Sequence, residues 1–536
     1  MDPINMRCAG ESGLCCRMPR IWLPKIQWGS PGYQAWLVSS LLIALICPGA
    51  VADGFSISPA SMARIGTVDE RFQSYNIEMV EVTGGRFWKP YGPRLRRPPV
   101  RSPKTVHPAP DGPANTNSNL YEYRPPIDLT NSRLQRLAAA LAPAYLRVSG
   151  TWANATHFAA SDSAPSTPPA GFNGVLSHQQ WQRVVNFSQA VGAQIVTSFA
   201  VSPGTRDAVG VWSPGEAHRL LAYTRSVGGT VAAAEFMNEP NVAPPGNDAS
   251  AYGRDFKIFH SFVKENFPEI VVLGPGTVGE TSFASDLLAA SSPHGVDVIS
   301  YHYYGTLSER CGVASVPETE LSEEWLSRTD QTLAFYQSLR DKFEPGKPIW
   351  LTETAEAACG GNRWDASFLD TFRYLDQLGR LAKAGVQVAM HNTLAASDYG
   401  LLDEKTLAPR PSYWGALLWR RFMGNVVLDS GVPTQIGLHV YAHCQRGTSG
   451  GVSLLVINTD RHASHSLILP TTSERFTLDV AKLRDTTVRL NGAALRLSIS
   501  DELPHIDGVR SKAGTLTFAP ATITFLTTSA GNRACQ

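Results

Sequence analysis

The chain contains eight short apolar segments that alternate with segments of helical periodicity, and this alternation constrains the fold more than any other feature. Near-continuous apolar runs are typical of parallel strands that are buried on both faces. Eight successive β–α units predict a (β/α)8 TIM barrel, with an open doubly wound sheet as the alternative. The predicted strands are 72–78, 145–149, 194–201, 232–239, 270–274, 296–303, 348–354 and 386–392.

The helical segments between these strands, and a change of pattern after residue 424, predict the domain organisation. We assign residues 69–423 to the barrel and 424–536 to a C-terminal β-sandwich, because short β-rich runs separated by turn residues replace the β–α alternation there. The last β-rich run of the sandwich is 515–526, and residues 53–68, which precede the barrel, are a candidate extra strand. The predicted helices are 131–141, 177–191, one starting at 213, 251–266, 282–290, 322–342, 366–384 and 413–422.

The first 52 residues have the pattern of a targeting segment. Arg17, Arg20 and Lys25 precede an apolar run at 35–47, and the sequence Ala-Val-Ala at 50–52 fits a cleavage site. The run is shorter than the roughly 20 residues that span a bilayer. We therefore expect a secretory signal peptide and an extracellular protein, or a periplasmic one in a bacterium, without stable membrane insertion after cleavage. An uncleaved anchor is the alternative.

The composition is that of a soluble globular protein, with 43% hydrophobic and 17% charged residues. A net charge of +1 gives no reason to expect nucleic acid as a partner. One insertion departs from this composition: residues 84–126 are rich in proline, and basic residues crowd the stretch 86–104. We interpret it either as a solvated irregular loop or as a basic lip that attracts an anionic polymer.

Four cysteines follow the leader, which is an even number in a chain expected in an oxidising compartment. None has the spacing of zinc ligands. Three pairings are possible, and four free buried thiols are the alternative to any pairing. The four are Cys311, Cys359, Cys444 and Cys535.

Two glutamates stand where barrel enzymes do their chemistry, at the carboxyl ends of strands. Glu239, in Asn-Glu-Pro-Asn, ends the fourth predicted strand, and Glu353, in Thr-Glu-Thr, ends the seventh. Strands four and seven face each other across the barrel mouth, so the two carboxylates converge on one sugar, as glycoside hydrolysis requires. We assign Glu239 as the acid/base and Glu353 as the nucleophile, and Asn238 as a hydrogen-bond partner of the sugar 2-hydroxyl.

Several sequence blocks, in order, resemble the heparanases and β-glucuronidases of glycoside hydrolase family 79. They are Tyr-Leu-Arg-Val-Ser-Gly-Thr at 145–151, Asn-Glu-Pro-Asn at 238–241, Tyr-His-Tyr-Tyr at 301–304, Thr-Glu-Thr at 352–354, Asp-Tyr-Gly-Leu-Leu-Asp at 398–403 and Pro-Ser-Tyr-Trp at 411–414. The resemblance implies a retaining enzyme that cleaves β-glucuronide linkages, endo or exo, in a glucuronic-acid-containing glycan or a glucuronide. No metal or organic cofactor is expected, because the two carboxylates suffice for the reaction.

The resemblance implies further substrate-binding residues: Glu78, Thr151, Tyr301, His302 and, for the uronate carboxylate, Tyr399. Glu78 stands where heparanase has Asp, and Ser397 replaces the glycine of the family's Gly-x-Tyr. The alternative for Tyr399 is that it only packs against Trp414 and does not bind the substrate.

The family also has a disulfide placed like Cys444–Cys535. Cys311 and Cys359 follow adjacent barrel strands and form a possible second pair.

Two other functions stay open at this point. One is another retaining glycosidase of the same fold, a xylosidase or arabinofuranosidase, and the other is a non-catalytic glycan-binding relative. The sequence also carries glycosylation motifs at Asn154 and Asn186.

Overall fold

A computed structural model describes residues 55–91, 118–163, 167–242, 248–314 and 316–536. The predicted signal peptide and most of the 84–126 insertion lie outside these residues and stay predictions. Within the described chain, no helix combines the length and the apolar composition that a bilayer crossing needs.

Eight parallel strands of the described chain close into a barrel in sequence order, which confirms the predicted fold class. Every predicted strand has its counterpart, although the fifth, sixth and seventh run further than expected. The barrel strands are Gln73–Glu78, Ala144–Ser149, Ala193–Ser198, Val231–Glu235, Val271–Val278, Val298–Leu307, Ile349–Ala358 and Val388–His391.

Apolar side chains from seven of these strands pack together in the barrel interior near the amino ends of the strands. The rings of Tyr145 and Trp350 are 4.9 Å apart at its centre. This apolar cluster is a plug that closes the amino end of the barrel interior. The polar groups at the carboxyl ends of the strands therefore surround the opposite end. The plug consists of Tyr145, Val196, Ala233, Leu273, Val298, Trp350, Val388 and Met390.

The helices begin where the sequence supplies caps. The Asn131 side chain accepts from the backbone N–H groups of Arg133 and Leu134, and Ser177 forms a capping box with Gln180. The helix predicted at 322–342 is two helices that meet at Ser327. The α-helices are Met79–Thr83, Ser132–Ala139, His178–Ala190, Gly215–Ser226, Ala249–Asn266, Ser282–Ser291, Glu323–Leu326, Arg328–Phe343, Phe368–Lys383 and Pro411–Phe422.

The C-terminal residues form two sheets, and both take a strand from the N-terminal segment. In the described chain, Phe55–Ser56 pairs with a three-stranded sheet and Arg64–Thr67 with a nine-stranded one. The small sheet also contains His465–Leu469 and Gly514–Phe518. The large sheet also contains Met423–Leu428, Leu438–Gln445, Val452–Asn458, Ser473–Asp479, Arg489–Leu490, Ala493–Ala494, Val509–Ser511 and Thr522–Thr528.

Two predicted segments need correction. The run 515–526 is not one strand, because Pro520 and Ala521 break it and its two halves join different sheets. Pro520 lacks a ladder N–H, and Ala521 has a φ of 49°, in the left-handed region. The 84–126 insertion is regular at its two ends, where Gly85–Trp88 pairs with Tyr121–Arg124.

Both predicted disulfides are present. Cys311–Cys359 joins the segments that follow the sixth and seventh barrel strands, and Cys444–Cys535 ties the C-terminus to the large sheet. The second closes a loop with a sequence separation of 91 residues, so it restricts the unfolded chain strongly.

A buried charge network joins the barrel to the large sheet. Asp376, on the helix Phe368–Lys383, accepts from Tyr441 at 2.6 Å and from Arg380 at 2.6 Å, and lies 2.5 Å from Nδ1 of His439. Burial works against a charged His439, but the charge of Asp376 outweighs it and raises the pKa of His439 to about 9. The histidine is therefore a cation that binds the two domains together in neutral and acidic solution.

We expect His439→Gln to lower the free energy of unfolding by about 3 kcal/mol at pH 5 to 6, because it leaves part of the Asp376 charge without a partner. The pKa of His439 is higher in the folded than in the unfolded chain. Its contribution is therefore complete below about pH 6.5 and disappears as the pH rises through 9. Urea denaturation of both proteins from pH 5 to 9 measures this difference, and it must shrink towards pH 9. The exposed His462→Gln is the control. A difference independent of pH contradicts the ion pair.

Candidate active site

Glu239 and Glu353 meet at the barrel mouth, together with His302. One side-chain ligand atom from each of these three residues lies within 4.8 Å of the other two. The fourth strand ends at Glu235, so Glu239 sits just beyond it. Its φ of 45° is a strained value for a residue other than glycine, and such strain is concentrated at functional sites. Glu353 lies within the seventh strand, which continues to Ala358.

Two donors hold the Glu353 carboxylate. Arg147 donates from Nη1 to Oε2 at 2.8 Å, and the Tyr304 hydroxyl donates to Oε1 at 2.6 Å. The guanidinium supplies a full positive charge and the phenol a directed hydrogen bond, so both stabilise the ionised carboxylate.

The Glu239 carboxyl group has a different environment. The Nδ1 atom of His302 lies 3.0 Å from Oε1 of Glu239. Burial and the nearby charge of Glu353 raise the pKa of Glu239, although His302 and Arg147 oppose the rise. Burial works against the charged form of His302, but the charge of Glu353 and hydrogen bonds to Glu235 and Glu239 raise its pKa to about 9. The two carboxyl groups of the site thus have different surroundings.

Arg147 also binds the end of the fourth strand. Its Nη2 donates to Glu235 and to Oδ1 of Asn238, both at 2.8 Å. Arg147 and Glu235 are each about 1% exposed. Burial opposes ionisation of Glu235, but the charge of Arg147 outweighs it and holds the pKa of Glu235 well below its usual range.

Asn238 is fixed on three sides. Its side-chain oxygen accepts from Arg147, and its backbone N–H and C=O groups both bond to the Asn154 side chain at 2.8 Å. Asn154 is therefore committed to the site and buried, so its glycosylation motif has no accessible side chain. The other motif residue, Asn186, is exposed.

Glu78 lies in the site, and its carboxyl group contacts the helix that follows it. Its carboxyl group accepts from Asn392 at 3.2 Å and caps the helix Met79–Thr83. It rests on Gly150, where a Cβ would lie 1.5 Å from Glu78 Oε2, so this position admits only glycine. Burial and the charge of Glu353 raise the pKa of Glu78 well above its usual range. Thr151 follows directly and begins a short 3-10 helix at the same edge of the barrel.

The Tyr399 hydroxyl also belongs to this edge of the site. Asn392 donates to it at 3.3 Å and to the Tyr304 hydroxyl at 2.9 Å. Burial, followed by the charges of Glu78 and Glu353, raises the pKa of Tyr399 well above its usual range. The hydroxyl therefore lies close to the carboxylates of the site.

The structure contradicts the prediction for Tyr301. Its ring is 1% exposed and stacks on Tyr336 of an outer helix, with ring centroids 4.5 Å apart. Side chains alternate between the two faces of a strand, so His302 and Tyr304 point inwards and Tyr301 outwards. Tyr304 is the tyrosine of this block that reaches the site.

Sequence reasoning missed four residues of the site. Arg147 had a signal, because it is a charged residue inside an otherwise apolar strand. Asn392 had one too, since it directly follows the last barrel strand. Glu235 and Tyr304 lie within three residues of positions that were selected. The end of the fourth strand and the inward face of the sixth could not be read from the sequence.

A closed barrel with two convergent glutamates at its mouth defines the fold and site of a glycoside hydrolase. Comparison with known proteins agrees. Residues 125–379 match the family described as Glycosyl hydrolase family 79, N-terminal domain. Heparanase-like protein 1 of Arabidopsis thaliana is 26% identical over 463 residues, which cover 75% of this chain and 84% of that protein. The hyaluronoglucuronidase of Hirudo nipponia is 27% identical over 464 residues, covering 76% and 92%.

A solved structure supports the fold alone. It is a 4-O-α-L-rhamnosyl-β-D-glucuronidase from Fusarium oxysporum, with a TM-score of 0.62 and 14% identity, and it covers 89% of this chain and 99% of that chain. The sequence match and the curated relatives lead to one conclusion: the chain is a glycoside hydrolase, and it is similar to members of glycoside hydrolase family 79.

We expect Arg147→Gln to destabilise the protein by about 3–5 kcal/mol, because it leaves the buried charge of Glu235 unpaired. Urea denaturation measures the loss. Adding Glu235→Gln should recover part of it, since the uncompensated charge is removed as well. The exposed pair Arg225–Glu269 provides the control, because Arg225→Gln should cost less than about 1 kcal/mol. Equal costs for the two arginines would refute the buried ion pair.

Proposed function

We propose that the protein is a retaining β-glucuronidase in which Glu239 is the acid/base and Glu353 the nucleophile. The observation that carries the proposal is the approach of one oxygen of each carboxyl group to within 4.8 Å. Retaining glycosidases hold their carboxyl groups about 5–5.5 Å apart, whereas inverting enzymes need about 6.5–9.5 Å to admit a water molecule. The short separation favours attack by the enzyme itself.

In the first step, Glu353 attacks the anomeric carbon and the bond to the leaving oxygen breaks, with a proton supplied to that oxygen by Glu239. Arg147 and Tyr304 hold the Glu353 carboxyl group in position for this attack. Burial raises the pKa of Glu239, so its carboxyl group carries the proton that the leaving group takes. The products are a glycosyl ester on Glu353 and the released aglycone or shortened glycan.

The second step follows from the coupling between the two groups. The charge of Glu353 raises the pKa of Glu239, and formation of the ester removes that charge. The pKa of Glu239 therefore falls in the intermediate, and its carboxylate takes a proton from a water molecule that attacks the ester. Glu239 is thus an acid in the first step and a base in the second because of its neighbour.

The glucuronide specificity of the proposal rests on the relatives and on the edge formed by Tyr399. The leech relative is named a hyaluronoglucuronidase, and the plant relative is named heparanase-like. In this chain we assign Tyr399 as the donor to the uronate carboxylate, with Glu78 and Thr151 near the sugar hydroxyls. Asn238 stays assigned to the sugar 2-hydroxyl, with its Oδ1 held by Arg147, and His302 stays assigned to substrate binding beside Glu239. The substrate class is a glucuronic-acid-containing glycan or a glucuronide.

We also propose that the protein acts outside the cytoplasm and is released by cleavage of its leader. Two disulfides suit an oxidising compartment, where such bonds form and persist. The basic segment 86–104 would then favour association with an anionic polysaccharide. N-terminal sequencing of the secreted protein tests cleavage after Ala52, and a start at Met1 refutes it.

Glu353→Gln should lower kcat/KM on 4-nitrophenyl β-D-glucuronide by at least about 10⁴-fold, because an amide cannot form the glycosyl ester. Glu239→Gln should lose about 10²–10⁴-fold on a glucuronide with a poor leaving group. It should lose much less in the first step on a 2,4-dinitrophenyl glucuronide, whose leaving group needs no proton.

Glu265→Gln is the matched control, because this exposed carboxylate lies at the end of a helix remote from the barrel mouth. Aryl β-xyloside and α-arabinofuranoside are assayed beside the glucuronide. Near-wild-type activity of Glu353→Gln, or of Glu239→Gln on the glucuronide with the poor leaving group, refutes the residue roles, and preferential cleavage of the pentosides refutes the substrate class.

A further inference from the structure

A single guanidinium joins three segments at the rim of the active site. Arg310, which follows the sixth barrel strand, is 5% exposed in its side chain. Its Nη1 donates to the carbonyls of Gly361 at 2.7 Å and Cys359 at 3.2 Å, its Nε donates to the Lys89 carbonyl at 3.0 Å, and its Nη2 binds the Asp398 carboxylate. The guanidinium therefore donates to backbone carbonyls just after the strand Gly85–Trp88 and in the loop after the seventh barrel strand. It also binds a side chain in the loop after the eighth barrel strand.

The two loops bound by Arg310 lie against each other at Tyr399. The Asp398 N–H donates to the Gly360 carbonyl at 3.1 Å. A Cβ on Gly361 would lie 3.0 Å from the Tyr399 nitrogen, so the glycine turn and the tyrosine backbone are in direct contact. A shift of either loop therefore moves the other, and both are positioned by the same side chain.

Other interactions hold Arg310 in this position. Its guanidinium lies over the Tyr91 ring, 3.8 Å from the centroid, and the disulfide at Cys311 anchors the next residue to Cys359. On the opposite side of the Tyr399 loop, Arg410 donates to the carbonyls of Ser397 and Asp398. The loop is thus held between two arginines.

The charge of Arg310 also reaches the tyrosine hydroxyl. Burial and the charge of Glu78 raise the pKa of Tyr399 well above its usual range, and Arg310 acts against this rise. The segment 397–402 contains no Lys or Arg of its own. A uronate carboxylate bound at Tyr399 would face the carboxylate of Glu353, so a cation behind the loop offsets repulsion that a neutral sugar does not experience.

We propose that Arg310 is a positioning residue that gives the site its preference for an acid sugar. It orders the Cys359–Gly361 turn and the Asp398–Tyr399 segment against each other and supplies positive charge behind them, without touching the reacting atoms. This inference rests on the proposed glucuronidase function and extends it to a residue outside the cleft.

The test compares kinetic constants on 4-nitrophenyl β-D-glucuronide and the matched β-D-glucoside. Arg310→Gln should raise KM for the glucuronide by about 10–100-fold and change kcat by less than about threefold, because binding of the carboxylate is weakened while the two glutamates stay in place. On the glucoside, kcat/KM should change by less than about threefold. Arg310→Lys should restore part of the glucuronide affinity, since it keeps the charge but not the fork.

Asp398→Asn removes the same ion pair from the other side and serves if Arg310→Gln does not fold. It should raise the same KM by less than Arg310→Gln does, because it loosens the loop but keeps the cation, and the double variant should lose less than the product of the two single losses. Arg363→Gln is the control, because Arg363 also lies over Tyr91, at 4.3 Å, but its carboxylate partner is Glu309. Its constants should match those of the wild type. Equal losses on both sugars, or an unchanged KM, overturn the proposal.

Amide hydrogen exchange separates this proposal from the proposed function. Faster exchange at 359–361 and 397–400 in Arg310→Gln supports the loop-ordering role, and unchanged exchange refutes it, whatever the substrate. A wild-type protein that hydrolyses no glucuronide refutes the proposed function instead.

Discussion

The buried guanidinium of Arg147 is the interaction on which the site depends. It pairs with Glu353 on the seventh strand and Glu235 on the fourth, and it binds Asn238 beside Glu239. The two strands whose carboxylates must converge are therefore joined across the barrel by one side chain. Removing a cation and two carboxylates from water costs free energy. Their mutual attraction recovers this cost only when the hydrogen-bond geometry is well defined.

The same charge distribution explains how two glutamates in one site differ. Glu353 receives a charged and a neutral donor, whereas Glu239 is buried beside a negative charge that raises its pKa. His302 lies between the two, with Nδ1 3.0 Å from Glu239 and 3.7 Å from Glu353, and its raised pKa favours the charged imidazole. The barrel contributes by closing its amino end with apolar side chains, so that these polar groups lie in a rigid frame.

The barrel and the two glutamates could be predicted from sequence because their signals are local and repeated. Apolar runs at regular spacing identify the strands, and a carboxylate after a strand lies on the functional face whatever the exact boundary. Tyr301 could not be placed in this way. Which of Tyr301 and Tyr304 points inwards depends on the strand register, and an error of one residue exchanges the two faces.

Contacts between distant residues were the other limit. Nothing in the local sequence of Arg310 indicates that its partners are Gly361 and Asp398, because the partners are set by how three loops fold over the barrel mouth. The break at Ala521 was readable in part, since Pro520 marks a turn, but the assignment of its two halves to separate sheets required the structure. The disulfides were predicted because the family resemblance and adjacent strand ends restricted the pairings.

The most direct test of the central claim is the anomeric configuration of the first product. Proton NMR during hydrolysis of an aryl β-D-glucuronide records the anomeric signals before mutarotation mixes them. Double displacement through Glu353 predicts that β-glucuronic acid appears first and the α anomer only later. Initial release of the α anomer would contradict a covalent intermediate on Glu353 and the close pairing of the two carboxylates.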